Sequence, residues 1–98
     1  MEEREETSLR EYEITTRRPK GGKLTHVHVI QGKTGIWHIS VRKNWGDDRE
    51  YQVNHYNHNR LKTYKRISSA LRHIVLDYHY EGPIIVVPFV GKSHEKSF

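Results

Sequence analysis

The chain contains no cysteine. A disulfide framework and every cysteine-ligated zinc site are therefore excluded, and the composition fits a reducing compartment. Apolar residues are also scarce, at 34% of 98. That is enough for one modest core under an unusually polar surface. Long hydrophobic runs are missing too. The longest, residues 84–90, is interrupted by Pro88, far short of the ~20 residues that span a bilayer as a helix. The first residues, Met1-Glu2-Glu3-Arg4-Glu5-Glu6, have neither the basic start nor the apolar stretch of a secretory signal. The expectation is a cytoplasmic protein without membrane contact.

Positive charge is what the chain has. The net charge is +5, unevenly placed: residues 1–7 hold four Glu and one Arg, whereas residues 17–72 hold thirteen Lys or Arg against Asp47, Asp48 and Glu50. A basic field of this kind attracts polyanions such as nucleic acid or an acidic protein surface. Both signs are abundant overall, so wholesale disorder is not indicated.

The organising stretch is residues 68–78. Ala70, Leu71, Ile74, Val75 and Tyr78 recur at steps of three and four, which predicts one apolar stripe on a helix. Ser68 is placed to cap its first turn, and Glu81-Gly82-Pro83 stops it. Strands are predicted at residues 9–16, 24–30, 36–42 and 49–55, with a short fifth or a helix approach at 60–67. The alternation of Trp37, Ile39 and Val41 with His38, Ser40 and Arg42 is the cleanest period-two run. Residues 84–87, β-branched or apolar on both faces, predict a strand buried between the helix and a neighbour.

The expected fold is α+β: an antiparallel four- to five-stranded meander, one helix on one face, and a C-terminal strand, in the order β-β-β-β-α-β. The expected organisation is a flexible acidic leader (1–7), a single domain (8–90) and a polar tail (91–98). In element order alone, the arrangement resembles the four-strands-then-helix unit of small single-strand binders such as the Whirly and Pur-alpha families. No motif matches residue by residue.

Catalytic constellations are sparse. Gly32-Lys33-Thr34 lacks the earlier glycine of a phosphate loop, since Val27 stands there, and it joins strand to strand. Ser40, Ser68 and Ser69 sit in no strained elbow, and Asp47 and Asp48 are neighbours in a turn. His55-Tyr56-Asn57-His58-Asn59 only echoes the lettering of metal-dependent nucleases. His26, His28 and His38 share a strand face and could hold zinc with an open position. The simpler reading is polar residues alternating on a solvated face. No enzyme activity, metal or other cofactor is expected.

Phosphate contacts need cations that reach outward from loops and helix ends. Arg17, Arg18, Lys20 and Lys23 cluster in the first loop. Arg42 and Lys43 end the third strand, and Arg60, Lys62, Lys65 and Arg66 lead into the helix. In a meander the loops after strands one and three fall at the same end, which predicts that residues 17–23 and 42–48 meet. Trp45 lies there as a candidate to stack on a base, with Tyr56 a weaker one. The outward face (His26, His28, His38, Ser40, Arg42, Gln52, Asn54) offers no aromatic platform. The expected function is a nucleic-acid-binding domain contacting mainly the phosphate backbone. The alternative is a regulatory or inhibitory module that binds an acidic partner protein. A homodimer through an edge strand is compatible with either.

Overall fold

A computed structural model of the chain describes residues 7–90. They form an α+β unit with six strands and two helices in the order β1 (Ser8–Arg10), α1 (Glu11–Thr15), β2 (Leu24–Gln31), β3 (Trp37–Lys43), β4 (Tyr51–Asn54), β5 (Thr63–Tyr64), α2 (Ile67–Leu76) and β6 (Ile84–Val87). The strand order across the sheet is β1-β4-β3-β2-β6, and β5 pairs the start of β3 beside β4. Antiparallel hairpins join β2 to β3 and β3 to β4, whereas β1 lies parallel to β4 and β6 parallel to β2.

The expected four- to five-stranded meander with one helix is thus corrected at both edges. Residues 9–16 do not make one strand. Of this segment only Leu9 and Arg10 pair, together with Ser8 before them, and the chain then turns into α1. Local hydrogen bonds favour the turn: the Arg10 amide donates to the Glu13 carboxylate (3.1 Å), Thr15 Oγ1 donates to the Glu11 carbonyl (3.1 Å), and Arg18 Nε donates to the Ile14 carbonyl (3.0 Å). These close both ends of a helix too short to persist by propensity alone. The leader, apart from Thr7, and the tail lie outside the described residues.

The meander itself supplies the core. Val27, Val29, Ile39, Val41, Tyr51 and Val53 alternate inward and are buried, joined by Leu9, Ile14 and Leu24. Leu24 and Val27 share this face despite a spacing of three. A register shift between Leu24 and His26 inserts one extra residue, the signature of a β-bulge. Helix α2 closes the face with Ala70 and Ile74, and Tyr78 follows just past its end.

Three details of the helix differ from expectation. It begins after Arg66, which has extended backbone and no side-chain cap, so Ser68 is not the cap. It stops at Leu76, before Gly82. There the Tyr78 amide reaches back to the His73 carbonyl (3.0 Å) and His79 takes the left-handed conformation at φ 56°. Val75 points to solvent, since the stripe that packs is Ala70–Ile74–Tyr78 with Leu71 half-buried. Finally, β6 is not an interior strand. It is the edge of the sheet, and Ile85, Val86 and Val87 are exposed.

Candidate nucleic-acid interface

The loops after α1 and after β3 meet at one end of the sheet, and Asn44 holds them. Its Oδ1 accepts from the Lys23 amide (2.8 Å), its own amide donates to the Lys23 carbonyl (3.0 Å), and its Nδ2 donates to the Gly21 carbonyl (3.4 Å). Trp45 wedges the same junction. A Cβ on Gly22 would lie 2.9 Å from Trp45 Cε3, so the first loop comes this close only because residue 22 has no side chain.

The cations divide into those that build this end and those that project from it. Arg18 Nη2 donates to the Tyr78 carbonyl (2.7 Å), while its Nε bonds Ile14, so one guanidinium ties α1 to the end of α2. The Arg18 Cζ also lies 5.9 Å from the Trp45 ring centroid. Lys43 continues the inward series Ile39–Val41 and is buried. Its ammonium donates to the Trp45 carbonyl (2.5 Å) and lies 5.3 Å from the Trp45 ring and 4.9 Å from the Tyr51 ring. Carbonyl and ring faces together replace the water it gives up. Trp45 itself is half-buried against the core. Arg42 pairs with Asp48 (3.1 Å).

Arg17, Lys20 and Lys23 are exposed, and no carboxylate among the described residues pairs with them. Beside them runs an open cleft of about 560 Å³ between the first loop and the turn that leads into β6, with Arg18 and Lys23 on one wall and His79 and Glu81 on the other.

The remaining cations lie elsewhere. Tyr64 pairs with Trp37, and Lys43 ends the same strand, so residues 64–66 are displaced from the loop junction by roughly 20 Å at ~3.3 Å per residue. Lys65 and Arg66 are exposed there, Arg60 is exposed on the β4–β5 connection, and half-buried Lys62 lies 3.8 Å from Glu11 Oε1.

On the outward face, Ser40 Oγ donates to Glu50 Oε2 (2.5 Å), and His28 Nδ1 lies 3.8 Å from the same oxygen. Burial holds the His38 imidazole below its ordinary value, so it adds no charge near neutrality. Among the described residues no group of three His, Asp or Glu side chains is arranged to hold a metal ion.

Sequence reasoning missed a polar cluster between the helices. Buried Glu11 accepts from the Tyr78 hydroxyl (2.6 Å), and His73 Nδ1 lies 3.1 Å from Glu11 Oε2 and 3.2 Å from the Tyr64 hydroxyl. His73 Nε2 lies 3.2 Å from Asp77 Oδ2. Burial raises both tyrosine hydroxyls above their ordinary range, with nearby negative charge adding to it. Both imidazole nitrogens are engaged, so the ring offers no free base to the shallow cleft of about 300 Å³ alongside. The cluster fastens α1 to α2. Predicting residues 9–16 as one strand hid it, because Glu11 and Ile14, both buried, share a face on a helix and not on a strand.

No family model matches the chain, and neither a curated protein nor a solved structure matches it. Among the described residues no helix is long and apolar enough to cross a membrane.

Proposed function

We propose that the chain binds nucleic acid, chiefly through the phosphate backbone, at the end of the sheet where the first loop meets the loop after β3. The observation that supports this reading is the group Arg17, Lys20 and Lys23, exposed and without a carboxylate partner among the described residues, on a loop that Asn44 and Trp45 hold in place. A preorganised loop loses less entropy when a ligand arrives. The adjoining cleft has Arg18 and Lys23 on one wall and His79 and Glu81 on the other, so a sugar-phosphate strand that enters it follows the first-loop wall.

Loop cations of this kind suit phosphates, whose contacts carry no sequence information. Trp45 is held in the junction, so the reading drops it as a stacking platform and keeps it as a wedge. Arg60, Lys65 and Arg66 become secondary contacts for a long polyanion, while Lys62 stays with Glu11. The binding is therefore tolerant of sequence, and it requires neither a metal nor a catalytic step. A cytoplasmic location goes with it.

The test is fluorescence anisotropy with generic single- and double-stranded oligonucleotides. Paired charge reversals, Arg17→Glu with Lys20→Glu, should lower affinity about tenfold or more, since each lost phosphate contact removes released counterions. Arg60→Glu with Lys65→Glu should change it far less. Equal losses from both pairs would remove the site from the loop junction. Retention of one acidic protein, with no oligonucleotide bound, would favour the regulatory or inhibitory module instead.

A further inference from the structure

Strand β6 ends the sheet without finishing it. One edge pairs in parallel with β2, and the other has no partner among the described residues. Edge strands are usually shielded by a charge, a bulge or a covering loop. Here residues 84–90 contain no charged side chain. Ile85 is 50% exposed and Phe89 48%, with Val86, Val87 and Val90 similar. The apolar surface continues on both faces. Register with β2 puts Ile84 and Val86 on the helix-covered face beside Val27 and Val29, and Ile85 and Val87 on the outward face beside His28 and Ile30. The Phe89 amide donates to Gln31 Oε1 (3.1 Å), which keeps the chain in line beyond β6.

We propose that β6 pairs, antiparallel, with β6 of a second copy of this chain. The surface is uncharged and apolar, so it complements itself and offers an acidic or basic partner nothing to select. Antiparallel pairing also settles the electrostatics. Pro83 lines the basic cleft, so the start of β6 lies at the basic end and its finish points away. The two basic ends then fall at opposite extremes of the joined sheet, where mutual repulsion is least.

Geometry restricts the register. A two-fold axis normal to the sheet maps each face onto itself, so residues that meet across it share a face. Alternation then allows two central registers: Ile85 opposite its own copy, or Val86 opposite its own copy. Pro83 and Pro88 have no amide hydrogen and bound the ladder, so wider slips lose bonds. The exposed apolar side chains supply on the order of 400 Å² per copy, about half of a standard interface. An interface of that size belongs to the weak, transient class, so the dimer forms only at high concentration.

Sedimentation equilibrium of the full chain tests this. The wild type should pass from monomer to dimer as concentration rises to about 500 µM. Val86→Lys should stay monomeric with its circular dichroism unchanged, because the side chain is already half exposed. The absence of native cysteine allows a second readout. Facing Cα atoms in an antiparallel pair lie ~4.5–5.5 Å apart, within disulfide reach. Under mild oxidation one of Ile85→Cys and Val86→Cys should cross-link well above the other and above an exposed control, Ser69→Cys. A wild type that stays monomeric throughout, a Val86→Lys variant that still dimerises, or cysteines that cross-link no better than the control would each overturn the proposal.

Discussion

Arg17 and Arg18 are neighbours with different jobs. Arg18 donates to the carbonyls of Ile14 and Tyr78, whereas Arg17 projects from the loop with its guanidinium 5.9 Å from the Tyr12 ring. Arg18→Ala should cost about 2–3 kcal/mol, the scale of hydrogen bonds from a charged donor, read as a lowered melting temperature. Arg17→Ala should leave stability within about 0.5 kcal/mol and weaken oligonucleotide binding. The tyrosines of the Glu11 cluster make a pH prediction. Burial raises Tyr64 and Tyr78 above the ordinary value of 10.0, so above that pH the unfolded chain releases protons that the folded chain keeps. Stability should therefore hold up to about pH 10 and fall beyond it, by up to ~1.4 kcal/mol per pH unit for each tyrosine. Tyr78→Phe should be less stable at neutral pH, having lost its bond to Glu11, and its decline in alkali should be shallower. Denaturant midpoints measured from pH 8 to 11 check both.

At the scale of elements, the test of helix α2 is which stripe packs. Ile74→Asp places an unpaired charge in the core and should unfold the chain. Val75→Asp, one residue on, should be tolerated because Val75 faces solvent. Circular dichroism separates the two. The central hairpins were legible because the sequence of Trp37–Lys43 alternates, as β2 does beyond its bulge, and because one face of each is buried. The same rule misled at the edges. In residues 9–16 alternation of Tyr12 and Ile14 with two glutamates mimicked a strand, while capping by Arg10, Glu13 and Arg18 decided for α1. In residues 84–87 continuous β-branching is the pattern of an interior strand, and nothing local distinguishes an interior strand from an uncovered edge. The meeting of residues 17–23 with 42–48, seen where Asn44 and Trp45 hold the first loop, followed from hairpin parity alone. That Lys43 and Trp45 turn inward there was visible only in the extension of the Ile39–Val41 alternation. Asn44 joins the two loops, so Asn44→Ala should cost about 1–2 kcal/mol and lower oligonucleotide affinity without removing any charge.

At the scale of the molecule, the sheet has a basic end where two loops are clasped, a face covered by α2 with α1 fastened beside it, and at β6 an apolar edge with no partner among the described residues. Positive charge is sorted accordingly: Arg18, Lys43 and Lys62 make contacts within the fold, while Arg17, Lys20 and Lys23 are exposed and meet no carboxylate among the described residues, which is why the proposed ligand is placed there. The most direct test of that division is the salt dependence of oligonucleotide binding by the unmodified chain. Three phosphate contacts, each releasing about 0.7–0.9 counterions, should weaken binding roughly 20- to 40-fold between about 50 and 200 mM salt. Binding that ignores salt, or no binding at about 50 mM to any single- or double-stranded oligonucleotide, would contradict the account.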